Sequence, residues 1–175
     1  MSAGWSKLLD AGPLADGRAE LEFAIPLAEF PRLVLQLRET AGEAVGEAGF
    51  ARENRLAVAD VRVHADVVLT CQRCMGPLRW PLASEGRAAL VATPEEADRV
   101  PEQLETVFAE GHRISLRDLV EEELLLALPL VPRHASEHDC VGDEADAEDA
   151  TQPDEAALQE THRPFGQLAE LLKRR

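Results

Sequence analysis

A chain of 175 residues is long enough for one domain with a real core, or for such a domain with a flexible segment beside it. Aromatics make up only 4% of it and tyrosine is absent, so an aliphatic core, mostly Leu, Val and Ala, is expected. A net charge of −15 argues against a protein that coats nucleic acid, because that affinity comes mainly from Lys and Arg neutralising phosphates. Any contact with nucleic acid needs a local basic patch. The longest apolar run, Leu124 to Val131, is too short for a bilayer and is interrupted by Pro129. Met1-Ser2-Ala3-Gly4-Trp5-Ser6-Lys7 lacks the pattern of a signal peptide, and three cysteines fit a secreted disulfide framework poorly. A cytoplasmic protein is expected.

Residues 1–19 contain Gly12, Pro13 and Gly17 and are expected to form a flexible N-terminal arm. Glu20 to Ile25 alternates polar and apolar side chains, the period of a half-buried strand, and Pro26 ends it. Phe30, Leu33 or Val34, and Leu37 have helical spacing, with Pro31 where a first turn tolerates it. They predict a short helix ending near Thr40, although Leu33-Val34-Leu35 reads equally as strand. Glu43 to Ala51 predicts a strand weakened by Gly46 and Gly49, followed by a turn at Glu53-Asn54-Arg55.

The clearest β signal is Val61 to Thr70, apolar at 61, 63, 65, 67 and 69 and polar at 62, 64 and 66. It ends at Cys71-Gln72-Arg73-Cys74. The alternation resumes after Gly76-Pro77 with Leu78, Trp80 and Leu82 on one face, and Pro81 marks an edge strand. Ala88 to Ala92 continues it beyond a break at Glu85-Gly86. Pro94 to Pro101 reads as an acidic loop and Thr106 to Ala109 as a brief strand. Ser115 with Asp118 three residues on makes a capping-box pattern for a helix over Leu116–Leu128. Glu121 to Glu123 read as a solvated face of that helix, and Leu124 to Leu128 as buried on all sides.

The expectation is therefore an α+β domain over 20–138. Its antiparallel, twisted sheet, Glu20 to about Ala109, carries a Cys-x-x-Cys hairpin and is covered by one main helix. The segment 139–162, acidic and poor in large apolar residues, is expected to be a disordered linker. Residues 163–175, with Phe165, Leu168 and Leu172 at helical spacing, are expected to form a short C-terminal helix docking on the domain.

Cys71 and Cys74 in a tight turn can point two thiolates at one ion, and structural zinc takes four such ligands. Cys140, with His138 or His134, would supply the rest. Two other readings of the same residues stand beside structural zinc. One is a decayed site in which the cysteines persist as small apolar residues; the other is thiol redox chemistry at Cys71 and Cys74. From Val67 to Ser84 the only charged side chains are Arg73 and Arg79. With Trp80 nearby, the three are candidates for contact with RNA or a protein partner; the plainer reading makes Trp80 core and the arginines ordinary surface. His64, His112 and His162 carry no comparable pattern. No catalytic triad, nucleotide loop or paired-carboxylate pocket can be argued from the residues.

Taken together, Val67 to Cys74, an acidic helix running into Leu125-Leu126-Ala127-Leu128-Pro129-Leu130-Val131-Pro132, then Ser136-Glu137-His138, Cys140 and Arg163-Pro164-Phe165, form an ordered set. That set resembles the YceD family of large ribosomal RNA subunit accumulation proteins. The resemblance implies a cytoplasmic factor, without a known catalytic activity, needed for normal accumulation of 23S rRNA, and a non-enzyme is expected. Its expected partners are 23S rRNA or the large-subunit precursor. A basic ribosomal protein is a further expected partner, engaged by the acidic tract Asp139–Glu160. The alternative from another class is a zinc- or thiol-dependent enzyme, a nuclease or a redox protein, using Cys71 and Cys74.

Overall fold

The computed structural model describes residues 4–140, which belong to one compact unit. In chain order its elements are β1 (Leu8–Asp10), α1 (Ala11–Asp16), β2 (Glu20–Pro26), β3 (Glu43–Glu53), β4 (Leu56–Thr70), β5 (Pro77–Val91), α2 (Pro94–Ala97), β6 (Glu105–Phe108), β7 (Arg113–Ser115) and α3 (Leu116–Ala127). The acidic linker and C-terminal helix expected from the sequence lie outside the described residues.

Five strands form one sheet in the order β2-β3-β4-β5-β6, antiparallel throughout except that β6 runs parallel to β5. The exception corrects the expectation of a wholly antiparallel sheet. Between β5 and β6 the chain crosses back through α2 and residues 98–104, so it re-enters the sheet in the direction it left. β4 and β5 pair from Ala57 opposite Leu90 to Thr70 opposite Pro77, and Cys71 to Gly76 connect them. The β3–β4 connection is tighter: Asn54 and Arg55 both have left-handed backbones, φ 48° and 72°, as a two-residue primed turn requires.

The alternation along β4 sends Ala57, Ala59, Val61, Val63, Ala65, Val67 and Leu69 into the core and leaves Arg62, His64 and Asp66 on the open face. Leu116, Leu119, Val120 and Leu124 of α3 belong to that core, at the i, i+3, i+4, i+8 positions of one helix face. Ser115 caps α3, its hydroxyl accepting from the Asp118 N–H at 3.1 Å.

Several expectations are corrected. Phe30 and Leu33 are fully buried as their spacing implies, but only one 3-10 turn forms, over Leu33–Leu35. The chain cannot propagate a helix because it turns to meet β4, with the Arg38 N–H donating to the Val68 carbonyl at 2.7 Å and Glu39 bridging Val68. The expected N-terminal arm holds β1, paired with β7, and α1, whose Ala11 and Ala15 are buried. Its order rests on small residues that carry little hydrophobic signal. β5 has no break at Gly86. A Cβ there would lie 1.9 Å from the Glu123 carboxylate, so the glycine admits α3 rather than interrupting the strand.

Glu121 and Glu123 do not form a solvated face, for both are buried. Glu121 accepts the N–H groups of Arg32 at 2.7 Å and Leu33 at 3.0 Å, and the Arg32 Nε at 3.0 Å. It caps the Leu33–Leu35 turn from 88 residues away. Glu123 accepts the Ser84 hydroxyl at 2.8 Å. Conversely, the end of α3 is not buried on all sides. Leu126 is 69% exposed although it lies two turns beyond buried Leu119 on the same side, while Leu125, Ala127 and Leu128 pack half-buried against the core.

Candidate metal centre

The end of α3 leads through Pro129 and Pro132 back to the β4–β5 connection. The Gln72 N–H donates to the Pro132 carbonyl at 2.9 Å, bringing residues 133–140 onto the hairpin tip. Within the tip, the Cys71 N–H donates to the Gly76 carbonyl at 2.9 Å and the Met75 N–H to the Cys71 carbonyl at 2.8 Å. Met75 takes a left-handed backbone, φ 60°, to close the turn. On the other side Ser136 to Cys140 makes its own turn. Asp139 accepts the Ser136 hydroxyl at 2.8 Å, and the Cys140 N–H donates to the Glu137 carbonyl at 3.1 Å. The Ser136 hydroxyl and N–H hold the Asp139 carboxyl below its ordinary range.

These two turns bring together Cys71, Cys74, His134 and Cys140, whose ligand atoms all lie within 4.8 Å of one another. The His134 Nδ1 is 3.6 Å from the Cys74 sulfur and 3.5 Å from the Cys140 sulfur. A tetrahedral ion with metal–sulfur bonds of about 2.3 Å and a metal–nitrogen bond of about 2.0 Å sets such donors roughly 3.5 Å apart. The donor set therefore fits. Its orientation fits too: the His134 Nε2 lies 3.1 Å from the Pro77 carbonyl. A carbonyl only accepts, so Nε2 carries the proton and the Nδ1 lone pair faces the sulfurs.

Burial pushes the Cys71 thiol up, but N–H groups of Cys74, Arg73 and His134 aimed at the sulfur outweigh it and bring its pKa down to about 5. At Cys74 the Gly76 N–H acts downward, and burial with the neighbouring Cys140 and Cys71 thiols leaves it raised. Thiols this close resist joint ionisation, which a bound cation would relieve.

Of the candidate ligands, the structure brings together all except His138, which is exposed and apart from the group. Of the candidate contact residues, Arg73 is engaged within the chain. Its Nε is 3.2 Å from the Cys140 sulfur, and its Nη2 is 3.2 Å from the His134 carbonyl and 2.5 Å from that of Ser136. Arg79 is exposed on the open face of β5, while Trp80, next along the strand, packs half-buried against the core on the other.

Sequence reasoning missed the surface around this tip. Leu130 is 98%, Leu35 78% and Met75 66% exposed, on three segments that converge here. Arg38 is tied to the tip through the Met75 carbonyl at 2.8 Å. Among the described residues Arg38, Arg79 and Arg133 have no carboxylate within ion-pair distance. The signal available was Pro129-Leu130-Val131-Pro132, where prolines at both ends keep two apolar residues out of helix and sheet. A hollow of about 640 Å³ lies elsewhere, lined by residues including Glu22, Glu47, Arg62, His64 and Glu85, with no cysteine among them. Arg62 spans it between Glu47 and Glu85, at 2.8 and 3.8 Å.

No solved structure matches the chain. A curated protein of Haemophilus influenzae, large ribosomal RNA subunit accumulation protein YceD, is 36% identical over 134 residues, covering 74% of this chain and 77% of that protein. The family model described as large ribosomal RNA subunit accumulation protein YceD matches residues 59–172, which take in the hairpin, α3 and the four donors. With more than half the chain matched, and a relative of that identity over most of both lengths, the protein belongs to the YceD family.

Proposed function

We propose that this protein is a non-enzymatic ribosome-biogenesis factor of the cytoplasm that supports 23S rRNA accumulation and large-subunit assembly by binding rRNA or a ribosomal protein. Membership of a family named for large ribosomal RNA subunit accumulation carries the reading. The site supports it: three cysteines and one histidine would complete a tetrahedral shell, as in structural zinc, whereas a catalytic zinc keeps one position open. Zinc is the ion that suits this thiolate-rich set. It would clip the His134–Cys140 segment to the hairpin and hold the tip rigid.

The tip is the proposed contact surface. Arg38, Arg79 and Arg133 offer guanidinium groups for phosphate, and Leu35, Met75 and Leu130 offer exposed apolar area. The tract Asp139–Glu160 would add attraction for a basic ribosomal protein. The test is depletion of the protein in cells. Reduced 23S rRNA and accumulated large-subunit precursors, restored by wild type but not by a Cys71→Ser/Cys74→Ser variant, are expected. Normal 23S rRNA after depletion would overturn the reading. Turnover of RNA or of a disulfide by the purified protein, lost in Cys74→Ala, would move it to the enzyme class.

A further inference from the structure

We propose that Arg73 is the positioning residue of the metal centre, holding the second ligand pair closed over the first and balancing the charge of the loaded site. The inference rests on the four donors binding a divalent metal.

Arg73 lies in the spacer between Cys71 and Cys74, yet its hydrogen bonds run to the segment carrying the other two donors. One guanidinium plane serves the Cys140 sulfur through Nε and the carbonyls of His134 and Ser136 through Nη2. Its Nη1 stands 3.8 Å from Glu137, whose side chain is 86% exposed, so that ion pair adds little. Five N–H groups in a fixed fork suit such a multiple grip; a lysine ammonium on a flexible stem does not. Charge points the same way. Three thiolates and a neutral imidazole around a divalent ion sum to one negative charge, and the adjacent guanidinium cancels it.

The arrangement separates Arg73 from the fold itself. The tip turn and its tie to Pro132 are made by backbone groups, which a side-chain substitution at position 73 leaves in place. Among the described residues, none of the hydrogen bonds or ion pairs of the Arg73 side chain reaches the sheet or α3.

The experiment loads full-length wild type, Arg73→Met and Arg73→Lys with one equivalent of zinc. Each is then titrated with a chromophoric chelator, and matching cobalt(II) samples are read in the visible and near ultraviolet. Arg73→Met should weaken zinc binding by about 10–100-fold, the usual scale for an outer partner of a metal ligand. Arg73→Lys should recover part of that loss through charge alone. Removing the N–H donor to the Cys140 sulfur should also shift the thiolate-to-cobalt charge-transfer band to longer wavelength, a change that loosening of a distant loop would not make. Equal affinity and an unmoved band in Arg73→Met, with wild type binding zinc, would overturn the role of Arg73 alone. A wild type that takes up neither ion would overturn the metal centre, and the role of Arg73 with it.

Discussion

Glu121 illustrates how much a single side chain decides here. Its carboxylate is almost fully buried and meets two backbone N–H groups and the Arg32 guanidinium, so it joins α3 to the Leu33–Leu35 turn. Glu121→Ala strips those donors of their acceptor inside the protein. It should destabilise by about 3 kcal/mol, measured as a fall in the urea midpoint at unchanged slope. Nothing in the sequence distinguishes Glu121 from its neighbours: three consecutive glutamates on a helix normally face water, and what buries Glu121 is a backbone turn 88 residues away, while Glu123 is buried against Ser84 and Gly86 of β5. Cys71 and Cys74 were legible because their spacing is itself a ligand geometry. The choice of His134 over His138 was not, because it depends on the Pro77 carbonyl orienting one ring and on the turn at Ser136 carrying the other away from the cluster.

Among the elements, the long β4–β5 hairpin was visible as alternation, and α3 as a capped apolar run. Contacts between elements were hidden. Gly86 looks like a break in β5 until α3 is laid across the sheet and Glu123 is found where a Cβ would stand. Gly86→Ala should therefore cost about 1–3 kcal/mol. Paired with Glu123→Ala it should cost clearly less than the two changes summed, a coupling that a double-mutant cycle in urea would read. The β3–β4 turn offers the opposite case. Arg55 holds φ 72° at the second turn position, where glycine is the natural choice. Arg55→Gly should raise stability by about 0.5–1 kcal/mol, visible as a higher melting temperature. The crossover that makes β6 parallel left no local trace, for strand direction depends on how the connecting chain packs.

For the whole molecule, a sheet with α3 on one face ends in a hairpin tip, and four donors from two distant stretches close over that tip. A metal held by the four donors should stabilise the clip far more than the sheet. Chelation should raise hydrogen exchange at 133–140 and at Cys71 to Gly76, while the core amides of β4 stay protected; uniform loss across the chain would show that the ion supports the entire fold.

The most direct measurement is native mass spectrometry of the purified full-length protein alongside single-ligand variants. One zinc per chain should appear in wild type and in His138→Ala, and should be lost or strongly reduced in Cys71→Ser, Cys74→Ser, His134→Ala and Cys140→Ser. A metal-free wild type, or zinc that survives His134→Ala but not His138→Ala, would contradict the account.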